Sequence, residues 1–239
     1  MPLVSRPIIG LFLFLFFNQL LLAQDDSKTL SYRKLKKKIM QEQIIKLKNN
    51  VLLVRLKTKN NSINGLKEIG KNELAENMQL EQNNLNKEII AAFKNKFTFC
   101  PVYFFYSNYS DSVRMKHLGN VVFLNDNLQP DSSIKPNNID FLTAEFGNLL
   151  QDTAKYLADH YFSYYINSSA RHNKYYGGTD TKIPALRIMS GELIQLKKPF
   201  PYYTRASKNR LNQNAIPKAV MRMNKKLIKY YIGCLKEAK

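Results

Sequence analysis

The chain has 239 residues, of which 44% are apolar, and a formal net charge of +19 at pH 7. This apolar content is ordinary for a globular protein and excludes an intrinsically disordered chain. The charge predicts an anionic partner, although 28 Lys, 9 Arg and 25 Asn also fit the codon usage of a genome rich in A and T. Nucleic acid is not the expected partner, because Arg, the residue suited to bidentate phosphate binding, is scarce.

Residues 1–23 have the pattern of a signal peptide. Arg6 precedes an apolar run that ends at Ala23, a small residue at a plausible cleavage point. The run is interrupted by Asn18 and Gln19 and is shorter than the roughly 20 residues that a spanning helix needs. We therefore expect export to the periplasm or outer envelope, or secretion, with no membrane span after cleavage. An uncleaved membrane anchor is the alternative.

The first half of residues 24–239 alternates predicted helices and strands. A basic helix is expected over 25–48, with Lys34 and Lys36 to Lys38 on its polar side, followed by a strand over 51–57. A long helical stretch follows, interrupted at Gly70. Its predicted core-facing stripe is Ile63, Leu66, Leu74, Met78, Leu85, Ile89 and Phe93.

Buried strands are predicted from the next apolar runs. The run 97–106 is apolar on both faces, which is typical of a central strand covered by helices on both sides. A short strand is expected at 121–124, another over 139–146, and a helix over 151–165. A β-hairpin is predicted at 183–196 around Ser190-Gly191-Glu192, and an amphipathic helix over 216–236 ends the chain.

This order predicts one layered α/β domain over 24–239, with a mixed β-sheet and helices on both faces. The segment Ile183-Pro184-Ala185-Leu186 to Gly191-Glu192-Leu193 resembles the part of thioredoxins in which a cis-proline opens a strand of the terminal hairpin. The resemblance implies a thioredoxin-like fold without the redox motif. Residues 106–111 lack the Cys-x-x-Cys that dithiol chemistry requires. A plain hairpin preceded by proline explains the same residues.

Catalytic and metal motifs are weak. His117, His160 and His172 share no metal-ligand spacing, and neither a metal nor a cofactor is expected. Cys100 and Cys234 are compatible with a disulfide or with two buried thiols. Asp126, Asp131 and Glu145 could supply a carboxylate pair near the loop after the 121–124 strand, which would make the protein a hydrolase.

Tyrosine pairs beside cations favour binding over catalysis. Tyr175-Tyr176 and Tyr202-Tyr203 lie near Arg or Lys, and Arg205 follows the second pair closely. Aromatic rings with neighbouring guanidinium groups can bind a sugar, a peptide or a lipid headgroup. The predicted binding residues are therefore Tyr175, Tyr176, Tyr202, Tyr203 and Arg205. Amphipathic tyrosines covering a sheet edge are the alternative.

Seven stretches carry a second resemblance: the end of the predicted signal, Leu22-Ala23-Gln24, and residues 54–58, 102–107, 123–132, 151–156, 175–178 and 199–203. Together they resemble a family of small exported proteins of Bacteroidetes-type bacteria, which has no assigned activity. The resemblance implies a location and no catalytic residue. The sequence thus predicts an exported, non-enzymatic binding or envelope-associated protein, whose partner is an anionic envelope component, a peptide or a glycan.

Overall fold

The short apolar runs of the sequence form a mixed β-sheet. The computed structural model describes residues 34–135, 140–149, 183–206 and 214–237, and within them six strands form one sheet. In chain order the strands are β1 (Val51–Leu56), β2 (Val102–Tyr106), β3 (Phe123–Leu124), β4 (Phe141–Asn148), β5 (Pro184–Met189) and β6 (Tyr203–Arg205). The predicted α/β class is confirmed.

Five α-helices lie in the same described ranges. They are α1 (34–49), α2 (Asn60–Glu68), α3 (Asn72–Lys96), α4 (Ser110–Arg114) and α5 (Ala215–Glu237). Single 3-10 turns occur at Ser107–Tyr109 and Leu118–Asn120. The predicted signal peptide, the start of the basic helix and the helix predicted over 151–165 lie outside the described residues.

The chain divides into two compact units, Met1–Gln43 and Ile44–Lys239. In the first unit, the described residues 34–43 are helical. The second unit contains the whole sheet. Its strand order is β3-β2-β1-β4-β5-β6, with β2, β1 and β4 parallel and the other neighbours antiparallel.

One face of the sheet, here the first face, is covered by the two longest helices. Leu52, Val54 and Leu56 of β1 point to this face and are fully buried. Phe93 of α3 packs edge-on against Phe104 of β2, with ring centroids 6.2 Å apart. Helix α5 lies over β6, where the Thr204 hydroxyl donates to the Ala219 carbonyl at 2.9 Å.

The opposite face, here the second face, has a smaller cover. A cluster of apolar side chains lies there, and Val113 of α4 packs into it. The buried members of this cluster are Val51, Leu53, Phe105, Val113, Val121 and Phe123. Helices therefore cover both faces, and Phe104 and Phe105 are buried on opposite sides of β2 as the both-sided apolar run predicted.

The predicted apolar stripe of the long helix is partly wrong. Gly70, with a φ of +73°, separates α2 from α3 as expected, but Leu74 and Leu85 are exposed. Gln82 and Asn86 are buried in their place. Their amides form a ladder in which Gln82 Nε2 donates to Asn86 Oδ1 (3.0 Å) and Asn86 Nδ2 donates to the Lys57 carbonyl (2.9 Å). Helix α3 is thus rotated toward a polar contact at the end of β1.

The segment after β5 differs from the predicted hairpin. Ser190 N donates to the Ile194 carbonyl at 2.8 Å, so the turn forms where expected. The return segment pairs with β5 only at a bridge between Met189 and Gln195, and β6 is the main partner of β5. Among the described residues, the cis peptide bond precedes Pro199 and not Pro184.

Candidate functional site

Charged side chains meet near the carboxyl ends of β1 and β4. Glu145 of β4 is directly paired with Arg187 of β5 across the antiparallel ladder. Arg55 of β1 follows Val54, which is paired with Ala144, the neighbour of Glu145. Arg55, Glu145 and Arg187 therefore lie side by side on the second face, since the side-chain period of a strand is two.

Glu145 is the centre of this cluster and is 1% exposed. Its Oε2 accepts a hydrogen bond from Arg55 Nη1 at 2.6 Å, and its Oε1 accepts bonds from Arg187 Nε at 3.0 Å and from Arg187 Nη2. Arg55 Nε also donates to the Ser110 hydroxyl at 2.8 Å, and Arg187 Nη1 donates to the Asn148 carbonyl at 3.0 Å. Both guanidinium groups are thus held in fixed orientations.

The two arginines keep the central carboxylate ionised. Burial by itself raises the pKa of Glu145, because removing water disfavours the charged form. The hydrogen bonds and positive charges of Arg187 and Arg55 outweigh burial, and the net pKa of Glu145 is lowered. At neutral pH the three side chains together carry one excess positive charge.

A further cation lies beside the cluster because position 147 has no side chain. A Cβ built on Gly147 would come within 3.0 Å of Glu145 Oε1, 3.5 Å of Lys57 Nζ and 3.6 Å of Arg187 Nε. Lys57 itself is exposed. Among the described residues the site thus contains three cations and one carboxylate, which leaves two positive charges in excess.

The position of the cluster in the sheet is one that favours ligands. The connection from β1 leads through α2 and α3 on the first face to β2, and the return from β2 passes α4 on the second face before β4. The cluster therefore lies at the carboxyl ends of parallel strands whose connections run over different faces, and open α/β sheets commonly bind ligands at such ends.

Buried polar groups of α3 approach the same end of β1. Asn86 binds the Lys57 carbonyl, as described above. Helix α3 runs antiparallel to β1, so Gln82 lies one turn further beyond the end of that strand. Within the described part of the chain, Gln82 Oε1 is buried and has no hydrogen-bond partner.

Two of the predicted binding residues adjoin the cluster. Tyr203 of β6 is paired with Arg187, and Arg205 lies two residues further on the same strand. The rings of Tyr202 and Tyr203 are 4.9 Å apart, and Lys226 Nζ lies 5.5 Å from the Tyr203 ring centroid. Tyr175 and Tyr176 lie outside the described residues. The row of charged side chains on β1, β4 and β5 is therefore continued on the edge strand β6 by Tyr203 and Arg205.

The carboxylates considered for hydrolysis are not brought together. Strand β3 runs antiparallel to β2 and β4, so the loop after Leu124 leaves the sheet at the end opposite to Glu145. Asp126 in that loop is paired with Lys94 at 2.8 Å. Asp131 accepts hydrogen bonds from the Ser133 hydroxyl and amide, which lower its pKa.

Cys100 and Cys234 are both buried, and no disulfide joins them. Burial raises the pKa of the Cys100 thiol to about 12, despite the opposing charge of Lys48 and the Leu52 amide. A thiol with this pKa is a poor nucleophile at neutral pH. Of the alternatives that the sequence left open, the structure shows two buried thiols.

The sequence contains a signal for the cluster that apolar periodicity does not detect. Each of three buried strands carries one charged residue between apolar neighbours: Val54-Arg55-Leu56, Ala144-Glu145-Phe146 and Leu186-Arg187-Ile188. Charged residues are rarely buried unless they are paired. Opposite charges within three buried strands therefore indicate a shared ion cluster.

Among the described residues, no group of three or more His, Cys, Asp and Glu side chains is placed to hold a metal ion. No helix in those ranges has both the length and the apolar character needed to cross a bilayer. Comparisons of the chain with protein-family models, with curated proteins and with solved structures find no match.

Proposed function

We propose that this protein is an exported, non-enzymatic binding protein that recognises an anionic group, a carboxylate or a phosphate, at the carboxyl ends of β1 and β4. The observation that carries the proposal is the surplus of cations in the cluster. Arg55 and Arg187 pair with Glu145 and Lys57 lies nearby, so these four side chains carry two positive charges that a bound anion can neutralise. A purely structural ion pair does not need the third cation.

Glu145 has a positioning role in this proposal. It fixes both guanidinium planes through hydrogen bonds, which lowers the entropy cost of binding a ligand in their remaining directions. Arg187 uses Nε, Nη1 and Nη2 within the protein, whereas the bonds of Arg55 engage its Nε and Nη1. Arg55 Nη2 and the exposed Lys57 ammonium are therefore the donors proposed to contact the ligand.

The edge formed by β6 is proposed to bind the rest of the ligand. Tyr202 and Tyr203 present neighbouring rings, and Arg205 adds an exposed cation. Rings of this kind bind sugars and peptides through their faces. Tyr175 and Tyr176 remain part of the proposed surface on the strength of the sequence, and an anionic glycan or peptide of the cell envelope fits these residues.

A binding role is favoured over hydrolysis by the state of Glu145. Its lowered pKa keeps it unprotonated at neutral pH, so it is a poor general acid. Both of its oxygens accept hydrogen bonds from arginine, which also makes it a poor base. Asp126 is paired with Lys94, and Asp131 lies beside Phe123 at the β3 edge, three strand positions away from β4.

The proposed export of the protein is inferred from its first 23 residues, whose sequence favours a cleaved export signal. The proposal of export is tested by fractionating cells and sequencing the amino terminus of the accumulated protein. A protein that starts near residue 24 and leaves the cytoplasm supports it, and a cytosolic protein that still begins at Met1 contradicts it.

The binding proposal is tested by titrating the protein with inorganic phosphate, succinate, an oligogalacturonate and neutral maltotriose, with calorimetry as the readout. We expect the anionic ligands to bind and maltotriose to bind at least tenfold more weakly. Lys57→Gln should weaken anion binding by about tenfold, the usual loss for one charge-assisted hydrogen bond. The matched control is Lys67→Gln, which removes an exposed cation from α2.

Equal losses in Lys57→Gln and Lys67→Gln would show that anions respond to net charge alone and would contradict the proposed site. Binding of phosphate and succinate without the oligogalacturonate would limit the ligand to a small anion. Preference for the oligogalacturonate, reduced by Arg205→Gln, would place the β6 edge in the binding surface.

A further inference from the structure

Helix α5 exposes a row of cations on the side that faces away from the sheet. Its buried side chains include Val220, Met223 and Leu227, which fix the orientation of the helix. Five exposed cations occupy the outer side: Lys218, Arg222, Lys225, Lys229 and Lys236. In the described ranges, no salt bridge involves any of them.

A stripe of exposed apolar side chains runs beside these cations. Its members are Met221 (37% exposed), Ile228 (37%), Ile232 (47%) and Leu235 (44%). With 3.6 residues per turn, the four lie within about 60° around the helix axis, directly next to the arc that holds Lys225, Lys229 and Lys236. The outer surface of α5 is therefore amphipathic independently of the side packed on the sheet.

The chemistry of this surface fits one kind of partner better than the others. A second copy of the chain would bring two cationic helices together, and their repulsion opposes association. A nucleic acid would leave the apolar stripe in water, and only one of the five cations is the arginine that phosphate recognition favours. Lysines above an exposed Ile, Leu and Met stripe are typical of helices that lie on anionic bilayers.

We propose that α5 docks the protein on an anionic lipid surface, with the lysines at the headgroups and the Met221, Ile228, Ile232 and Leu235 stripe inserted at the acyl boundary. The helix lies parallel to the bilayer in this arrangement and stays packed on the sheet. The lipid surface is separate from the anion site at β1 and β4, which lies on the opposite face of the sheet.

The test is co-sedimentation of the purified protein with two vesicle types, one of phosphatidylcholine and one of equal parts phosphatidylcholine and phosphatidylglycerol. We expect binding to the anionic vesicles only, weakened but not abolished by high salt, because screening acts on the lysines and not on the apolar stripe. Ile228→Ser with Ile232→Ser should weaken binding about tenfold or more, and Lys225→Ser with Lys229→Ser should do the same.

Matched controls come from α2 and α3. Leu74→Ser with Leu80→Ser removes two leucines that are 53% and 60% exposed, and Lys67→Ser with Lys71→Ser removes two exposed cations. Both control pairs should bind vesicles as the unchanged protein does. Because all the substituted residues are exposed, the thermal unfolding temperature of every variant should stay near that of the unchanged protein. A variant that fails this check is replaced by a single substitution at the same surface.

Three outcomes would overturn the proposal. One is equal sedimentation with both vesicle types, and another is equal loss in the α5 and control lysine pairs, which would reduce the effect to net charge. The third is retained binding in the Ile228 and Ile232 variant together with tighter binding to single-stranded DNA, which would assign the helix to nucleic acid. Lys57→Gln should leave vesicle binding unchanged, so failure at one site is distinguishable from failure at the other.

Discussion

Glu145 shows how a buried charge is made stable in this protein. It is removed from water, yet three N–H groups of Arg55 and Arg187 donate hydrogen bonds to its carboxylate. Removing one member of such a cluster is costly because the partners remain buried without compensation. The residue is therefore a sensitive point for both stability and the proposed binding site.

We predict that Glu145→Gln lowers the free energy of unfolding by about 3–5 kcal/mol at pH 7, because it leaves two guanidinium groups without their carboxylate. The pH dependence has a definite sign. The folded-state pKa of Glu145 is lowered from 4.5, so its contribution is present above pH 4.5 and is lost as the pH falls through the folded value. Urea denaturation at neutral and acidic pH measures both effects.

The control for this substitution is Glu192→Gln, which changes an exposed carboxylate in the turn after β5. It should alter stability by less than about 0.5 kcal/mol. A Glu145→Gln protein that is as stable as the control, with the same loss on acidification as the unchanged protein, would show that the cluster contributes little.

Cys100 gives a prediction about reactivity. With a pKa of about 12, about one thiol in ten thousand is ionised at pH 8, and the thiolate is the reactive form. Iodoacetamide at pH 8 should therefore leave Cys100 unmodified in the folded protein and modify it in urea, with mass spectrometry identifying the labelled residue. Labelling of Cys100 at similar rates in both conditions would mean that the residue is accessible and its pKa ordinary.

At the scale of elements, the packing of α3 against the sheet and α5 depends on a few side chains. Phe93 is 1% exposed and contacts the rings of Phe97 and Phe104 at centroid distances of 5.4 and 6.2 Å. The helix is also connected to α5 just past its end, where Thr98 N donates to Asn224 Oδ1 at 3.0 Å. These contacts lie on the first face, whereas Leu80 on the same helix faces solvent.

We predict that Phe93→Ala lowers the free energy of unfolding by about 3–5 kcal/mol, because it removes apolar contacts and leaves a cavity against β2. Leu80→Ala, on the exposed side of the same helix, should change it by less than about 0.5 kcal/mol. Chemical denaturation of both variants tests the pair. Similar effects of the two substitutions would contradict the packing of α3 described above.

At the scale of the whole sheet, stability is expected to decrease from the centre to the edges. Strand β1 pairs on both sides, with β2 and β4, and its Leu52, Leu53 and Val54 are completely buried. The edge strands β3 and β6 have two and three residues. Native-state hydrogen exchange reports such differences, because central amides open only in large unfolding events.

We predict that the amides of Val51–Leu56 exchange most slowly and that those of β3 and β6 exchange fastest among the strands. Mass spectrometry of peptide fragments after timed exchange measures this order. If β6 were protected as strongly as β1, an additional strand or partner would have to cover the edge.

The local sequence pattern was sufficient to predict much of the fold. The strands at 51–56 and 102–106, the break at Gly70 and the final helix follow from apolar periodicity and from the conformational freedom of glycine, which are properties of neighbouring residues. Leu74 and Leu85 of α3 were wrongly predicted to face the core, because the rotation of this helix depends on residues distant in sequence. Gln82 and Asn86 take buried positions because a carbonyl at the end of β1, distant in sequence, needs a donor.

The sequence by itself determined the α/β class, the identity of the central strands and the charged residues within them, because each depends on short-range pattern. Only the tertiary structure decided which charges meet. Arg55, Glu145 and Arg187 are separated by 90 and 42 positions along the chain, and strand order and register alone bring them into one row. Pairing between strands depends on the packing of the whole sheet, so no local window of the sequence contains it.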